Sequence, residues 1–518
     1  MIRYPIGQQN FKGIIEDGYA YVDKTGYIGR LLNRGKFFFL SRPRRFGKSL
    51  FLSTLECFFH GERELFKGLE IEGFDWDWAN YPVLRFDFNG GDYSSAEGLD
   101  RLIDHSLGVM EAEFSIAGGD PDFGIRLKNL ISAGKRRFGR NVVILVDEYE
   151  KPILDAVGNK ELMGAHQNRL RSLYSLLKSE DENLKLVFMT GVTRFGQMSV
   201  FSGLNNLQDI SLDDEFAEIC GITGDEMLNN FMDGISELAR EERISVEEAI
   251  RLLKVHYDGY HFSRNCKDLY NPMSLLSALA KRDILNYWFD TGTPRFLIES
   301  MKEAGFALPD LDELWVSPNE LLQLNDRISN PIPLLYQTGY LTIKEYNFKT
   351  RRCKLGMPNR EVSDAFINFL TPFYTAVNEV KREPTINRMI KALENGDAEG
   401  LMEEIQSFFA GHGYSLKGNF DREEHFQNVV YIILKLLSEH VETEYRTARG
   451  RIDLFIGSSK FVYVLEFKVD SSADGALKQI EERDYTLPFR KSGRSIIAIG
   501  IDFSTVKRTL DGWKIRKL

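Results

Sequence analysis

Glu466 and Lys468 stand one residue apart in Glu466-Phe467-Lys468, and Asp453 closes the run Gly450-Arg451-Ile452-Asp453 just before them. Two acids and a lysine at this spacing, on adjacent strands, provide what metal-dependent cleavage of a phosphodiester requires. Carboxylates that close repel each other unless a cation lies between them. Hard oxygen ligands suit Mg2+ or Mn2+. Such an ion activates a water and neutralises charge on the scissile phosphate. Asp453 and Glu466 would be the metal ligands, and Lys468 would position the water or screen the developing charge.

The elements that must position these groups follow from the flanking residues. Arg451 to Ile456 and Phe461 to Lys468 read as strands, with Gly457-Ser458-Ser459-Lys460 as the turn. A four-residue loop pairs Asp453 with Val464 and Arg451 with Glu466. Side chains alternate along a strand, so Asp453, Glu466 and Lys468 share one face. Ile452, Leu454, Ile456, Phe461, Tyr463, Leu465 and Phe467 form the other, a core face. In the preceding helix, Phe426, Val429, Val430, Ile433 and Leu434 make an apolar stripe. Glu423 falls on that stripe and is the site candidate, whereas Glu424 falls with Asn428 and Tyr431 at its margin. A second helix opens at Ala476-Leu477-Lys478-Gln479-Ile480, Tyr485 follows, and Ser495 to Ile501 reads as a buried strand.

This order of helix, hairpin, helix and strand resembles the PD-(D/E)xK nuclease superfamily. More narrowly, it is similar to the nuclease-like domain that follows an AAA-ATPase-like domain in many bacterial proteins. Glu423, the Gly-Arg-Ile-Asp run, Glu-Phe-Lys, Gln479-Ile480 and Tyr485 carry the resemblance over about the last hundred residues. It implies Glu423, Asp453, Glu466, Lys468 and Gln479 as catalytic residues.

A second constellation lies near the N-terminus. The apolar run Phe37-Phe38-Phe39-Leu40 leads into Ser41-Arg42-Pro43-Arg44-Arg45-Phe46-Gly47-Lys48-Ser49, followed by a helical pattern. Strand, loop, Gly-Lys-Ser and helix is the P-loop order. Gly47 lets backbone approach phosphate, and the helix N-terminus supplies N–H donors and a favourable dipole. Lys48 would reach the β- and γ-phosphates and Ser49 would ligate Mg2+. Arg42 occupies the place of the first glycine of that motif. Arg42, Arg44 and Arg45 read either as a phosphate clamp or as a solvated loop. Asn141 to Val146 is a buried strand ending in Asp147-Glu148. Asp147 would hold Mg2+ and Glu148 would polarise the attacking water. The strand Leu184 to Met189 ends in Thr190-Gly191-Val192-Thr193-Arg194, where a polar group would sense the γ-phosphate and Arg194 would touch it. Pro82 to Phe88 supplies a further strand. Strands alternating with helices predict a mainly parallel sheet with covered faces.

The arginine-rich loop, Tyr21-Val22-Asp23-Lys24-Thr25 and Asn206-Leu207-Gln208-Asp209-Ile210 resemble the AAA-ATPase-like family that carries the nuclease domain, over about the first 260 residues. Loops with arginine in place of the first glycine are usual there, and the resemblance implies ATP.

The length of 518 residues exceeds one domain. The expected architecture is α/β: a P-loop NTPase domain with a parallel sheet over residues 1–212, a helical lid or winged-helix-like module and connector over 213–390, and a PD-(D/E)xK restriction-endonuclease-like α/β domain over 391–518. The connector would end between Glu383-Pro384 and Asn395-Gly396. A net charge of −10 excludes a global basic field, so nucleic acid must meet a local patch. Cys57, Cys220, Cys266 and Cys353 form no CxxC pair, which argues against a zinc ribbon and against a disulfide scaffold and fits a reducing cytoplasm. No signal peptide or membrane span is expected. The expected function is an ATP-binding protein, an ATPase, that controls a metal-dependent nuclease. Its substrate would be nucleic acid, DNA ahead of RNA, and oligomerisation is open. The alternative is a nucleotide-dependent switch whose nuclease-like domain binds nucleic acid or a partner without cleaving.

Overall fold

The fold was read from a computed structural model. It describes residues 2–194, 200, 201, 204, 206–288, 297, 300, 301, 304, 306, 308, 311, 314–323, 330–375, 379–409, 422–437, 442–448, 451–507 and 509–518, with backbone alone at 379–381, 422–425, 427, 442–448 and 451–453. The chain divides into two compact units, one formed by Met1–Gly292 with Trp315–Val362, the other by Thr293–Leu314 with Ser363–Leu518.

The first unit is built on five parallel strands: β1 (Phe37–Ser41), β2 (Val83–Asp87), β3 (Val142–Asp147), β4 (Leu184–Gly191) and β5 (Gln208–Asp209), in the order β2-β3-β4-β1-β5. Every residue of β1 and β3 is buried, as continuous apolar runs in a sheet covered on both faces require. β4 therefore lies between the P-loop strand and the acid strand. Helix Lys48–Phe59 starts directly at the loop, its N-cap Gly47 at φ +96°, a left-handed conformation that glycine adopts without strain.

The expected helical middle is present. Helix Gly224–Glu241 opens on a capping box in which Thr223 and Glu226 satisfy each other's backbone. Glu226 also accepts from Lys24 at 2.6 Å, which ties the Tyr21 to Thr25 segment to this helix. The short strands β6 (Ile222–Thr223) and β7 (Leu269–Tyr270) pair at its base. A small antiparallel sheet follows, formed by β8 (Trp315–Val316), β9 (Thr342–Asn347) and β10 (Arg352–Gly356) in the order β8-β10-β9. The short helices Pro318–Leu322 and Ile332–Gln337 lie between β8 and β9 in the chain.

The second unit holds five strands, β11 (Glu442–Ala448), β12 (Arg451–Gly457), β13 (Phe461–Val469), β14 (Ser495–Ser504) and β15 (Thr509–Lys517), paired in that order. β13 and β14 are parallel and the other pairs antiparallel. The edge strands β11 and β15 enlarge the expected hairpin-helix-strand unit. Helix Glu379–Asn395 runs through the stretch where the connector was expected to end. Helix Arg422–Leu437 is buried on more than one stripe. Asn428, placed at the margin by periodicity, is fully buried and accepts from Leu308 N at 2.6 Å.

Helix Ala473–Glu482 lies across β13 and β14 over Val462, Val464, Ile496 and Ala498. Gly500 permits this approach, since a Cβ there would stand 2.3 Å from Ala473 O and 2.4 Å from Leu477 N. Both are backbone atoms and cannot rotate away. Gly500→Ala should therefore destabilise the second unit by about 1–3 kcal/mol, in the range of overpacking. Gly512→Ala, whose Cβ meets nothing within 4 Å, should leave the melting curve unchanged. Thermal unfolding of both variants checks this.

Candidate functional sites

Loop residues after β1 line a cleft of about 440 Å³ at the carboxyl ends of the parallel strands, within the size range of small-molecule pockets. Arg44, Arg45, Gly47, Lys48 and Ser49 come from the P-loop, Asn89 from the end of β2, and Glu148 and Lys151 from the segment after β3. Four cations against one acid make the lining anion-seeking. Pro5 to Gln9 and Pro272, Met273 and Leu276 complete the wall. None of that second group carries a motif, and sequence reasoning missed it.

Lys48 is buried, its Nζ donating to Arg42 O at 2.9 Å and Pro43 O at 3.1 Å. Arg45 adopts φ +69°, beside Gly47 at +96°. Asp147, also buried, accepts from Thr190 Oγ1 at 2.6 Å. The polar residue at the end of β4 thus orients the acid strand. Glu148 adopts φ +50°, a strained conformation for a non-glycine residue of the kind found at functional sites. Burial raises its carboxyl above the ordinary range, opposed by the Lys48 ammonium.

Arg42 does not line this cleft. It is about 1% exposed, and all four of its terminal N–H bonds meet backbone carbonyls: Ser41 and Ser211 at 2.8 Å, Phe216 at 3.0 Å and Ala217 at 3.2 Å. Its guanidinium stacks on Phe262 at 4.4 Å. Neither a phosphate clamp nor a solvated loop describes it; it fastens the P-loop to the segment after β5. Phe46 fastens the loop on the other side, edge-on to Tyr260 at 4.7 Å and Phe262 at 5.2 Å. Arg194 is likewise outside the cleft. It is buried, ion-paired to Asp209, and its backbone N–H donates to Gln337 Oε1 at 2.7 Å. The structure thus groups Arg44, Arg45, Gly47, Lys48, Ser49 and Glu148 around the cleft and does not bring Arg194 among them.

In the second unit, Asp453 lies directly opposite Glu466 in the β12–β13 register. The expected pairing with Val464 is off by two residues. Gly457 joins the ladder opposite Val462, and the turn tightens around Ser458, whose N–H donates to Phe461 O at 2.9 Å. A two-residue shift keeps face parity, so the shared face survives. Tyr463, Leu465 and Phe467 are buried on the other face, as expected. Glu466 is fully buried. Gln479 Nε2 donates to Glu466 Oε1, and Lys468 Nζ donates to Gln479 Oε1 at 2.5 Å. One amide therefore links the acid and the lysine of the Glu-Phe-Lys run. The side chains of Asp453 and Glu423 lie outside the described residues. The helix that carries Glu423 places Phe426 against Phe467 at 5.2 Å and Phe503 at 4.3 Å, on the face opposite Glu466.

A family model described as a predicted AAA-ATPase matches residues 5–201, and one described as the PD-(D/E)XK nuclease superfamily matches residues 421–513. An uncharacterized protein in the vnfD 5' region of Azotobacter chroococcum mcd 1 is 34% identical over 525 residues, covering 100% of this chain and 99% of that one. The chain belongs to this AAA-ATPase-like family with a PD-(D/E)XK nuclease superfamily domain. A solved structure of the Aeropyrum pernix ORC2 protein (ADPNP-ADP complexes) aligns with 65% of this chain and 88% of its own, at 10% identity and a TM-score of 0.25. That likeness is too weak to inform the site. The AAA-ATPase-like protein thus joins a P-loop module to a nuclease-superfamily module. Among the described residues no helix is long and apolar enough to cross a membrane.

Glu150, which no motif singled out, ties the segment after β3 to the backbone that follows β4. It is buried, and its Oε1 accepts from Val192 N at 2.5 Å and Thr193 N at 2.9 Å. Burial pushes its carboxyl up to about 7, although those N–H groups favour the charged form. The folded state then holds the proton more tightly than the unfolded chain. Its contribution to stability falls as pH rises from about 4.5 to about 7, by on the order of 3 kcal/mol. Glu150→Gln keeps the acceptor oxygen and cannot ionise. Denaturant unfolding across that pH range should show a steeper loss of stability in the wild type than in the variant.

Proposed function

We propose that the protein is an ATP-dependent regulator of its own metal-dependent nuclease domain. The observation that carries the reading is the register pairing of Asp453 with Glu466, together with the Glu466–Gln479–Lys468 chain of hydrogen bonds. A buried carboxylate linked through an amide to a lysine amine, opposite a second acid, is a donor set suited to a hard divalent cation. Mg2+ or Mn2+ would be held by Asp453 and Glu466, and a bound ion of this kind supplies an activated water and Lewis acidity toward phosphate. Gln479 fixes the carboxylate of Glu466. Lys468 places a positive charge where the cleaved phosphate gains negative charge. Glu423 remains a candidate from the preceding helix.

In the P-loop unit, the backbone at Gly47 and the start of helix Lys48–Phe59 offer N–H donors to phosphate. Lys48, Arg44 and Arg45 add charge, while Pro5, Ile6 and Met273 offer apolar surface to a base. Ser49 and Asp147 would hold Mg2+, and Glu148 would orient the attacking water. Nucleic acid is the substrate class, with DNA ahead of RNA, and the site in the cell is the cytoplasm. The competing reading, a switch that binds without cutting, draws on the net charge of −10.

Asp453→Ala and Glu466→Gln should each reduce Mg2+- or Mn2+-dependent cleavage of plasmid DNA at least 100-fold. Wild-type cleavage by Asp453→Ala, or no cleavage by the wild type with either metal on DNA or RNA, would overturn the nuclease reading. Lys48→Ala should abolish ATP binding in calorimetry while leaving the melting temperature of the second unit unchanged.

A further inference from the structure

The β9–β10 hairpin concentrates positive charge in an acidic chain. Residues 344–354 hold Lys344, Lys349, Arg351, Arg352 and Lys354 against Glu345 alone, within a protein of net charge −10. Lys349, Arg351 and Arg352 are exposed, and none forms an ion pair among the described residues. Three cations within four positions, none paired with an acid among the described residues, make a local positive field. Between them stands Phe348, 69% exposed, braced edge-on by Tyr346 at 4.9 Å.

The tip is constructed rather than loose. Asn347 Oδ1 accepts from Lys349 N at 3.0 Å and Thr350 N at 3.1 Å, and Arg351 N donates to Asn347 O at 2.7 Å. Arg352 Nη1 donates to Trp315 O at 3.2 Å, which anchors it to the neighbouring strand. Below the tip, Ile343, Cys353 and Leu355 are buried. Lys344 Nζ donates to Pro358 O at 2.7 Å and so holds the base of the hairpin rather than joining the tip. A rigid two-stranded arm thus presents one apolar ring flanked by three cations.

We propose that this arm is a docking site for B-form duplex DNA. Lys349, Arg351 and Arg352 contact phosphates, and Phe348 enters the groove between them. A two-stranded ribbon fits the major groove of B-form DNA, about 12 Å wide, where an apolar ring such as Phe348 meets thymine methyl groups. The major groove of A-form RNA is too narrow for side chains, which favours DNA as the occupant. The inference deepens the nucleic-acid reading given above, yet requires only binding and not cleavage.

The test uses the full chain, a fluorescent 30-base-pair DNA duplex and excess chelator, so that no metal-dependent cutting intervenes. Lys349→Gln, Arg351→Gln and Arg352→Gln together should weaken binding at least about tenfold near 100 mM salt. They should also lower the slope of log affinity against log salt by about 2–3, close to one unit per phosphate contact. Phe348→Ala should weaken binding several-fold with the slope unchanged. All four side chains are exposed, so circular-dichroism melts should match the wild type. Unchanged affinity and slope in the triple variant would overturn the proposal. Equal affinity of the wild type for duplex RNA, single-stranded DNA or polyglutamate would overturn it as well. Cleavage by Glu466→Gln in Mg2+ reads the nuclease proposal separately. Loss of binding in the triple variant alongside undiminished cleavage by Glu466→Gln would sustain the arm and sink the nuclease.

Discussion

A guanidinium leaves water only where other oxygens replace the ones it gave up. Arg42 meets that condition at its terminal N–H groups with four backbone carbonyls and one aromatic face, and leaves its Nε without a hydrogen-bond partner. The replacement is what permits an arginine where the P-loop motif has its first glycine. It also sets the geometry of the unit. Three of the carbonyls, at Ser211, Phe216 and Ala217, belong to the segment after β5, and Phe262 belongs to the helical module. The loop that carries Lys48 is therefore gripped from both sides. Phe46 reinforces the grip through Tyr260 and Phe262. Truncating a group bonded in this way leaves several buried carbonyls unmatched at about 1–3 kcal/mol each. Lysine, with a compact ammonium on a flexible stem, does not reproduce the planar fork.

The same principle organises the two candidate sites. Polar groups are drawn inward and then held by partners that fix their direction. Thr190 orients Asp147, and Val192 and Thr193 N–H groups hold Glu150. Gln479 holds Glu466 and Lys468 together. In the second unit the constraint is steric as well. Helix Ala473–Glu482 reaches the sheet closely enough for Gln479 to bridge only because residue 500 has no side chain. The candidate acid Glu466, its partner amide and a glycine on the next strand thus form one device.

Much of this was legible in the residues. β1 and β3 are uninterrupted apolar runs followed by the Gly-Lys-Ser loop and by Asp-Glu, so the strands and the loop between β1 and the next helix were readable together. The hairpin face carrying Glu466 and Lys468 was readable from alternation alone, and survived a register that differs by two. Other features were hidden for physical reasons. The role of Arg42 depends on carbonyls 169 to 175 positions away, which no local pattern encodes. β11 and β15 are edge strands rich in charged and polar residues, so they lack the apolar alternation that marks a strand. Asn428 is buried by the distant segment at Phe306 and Leu308. Pro5 to Gln9 line the cleft through position and not chemistry. Arg194 sat at the right place in the sequence to touch a phosphate, but its pairing with Asp209 is a tertiary fact.

The central claim is that nucleotide at the P-loop controls chemistry at the nuclease site. It is tested most directly by the rate of Mn2+-dependent DNA cleavage, measured with and without ATP, in the wild type and in Lys48→Ala. The account predicts that ATP changes the wild-type rate at least severalfold and leaves the Lys48→Ala rate unchanged. Equal wild-type rates with and without saturating ATP would contradict it.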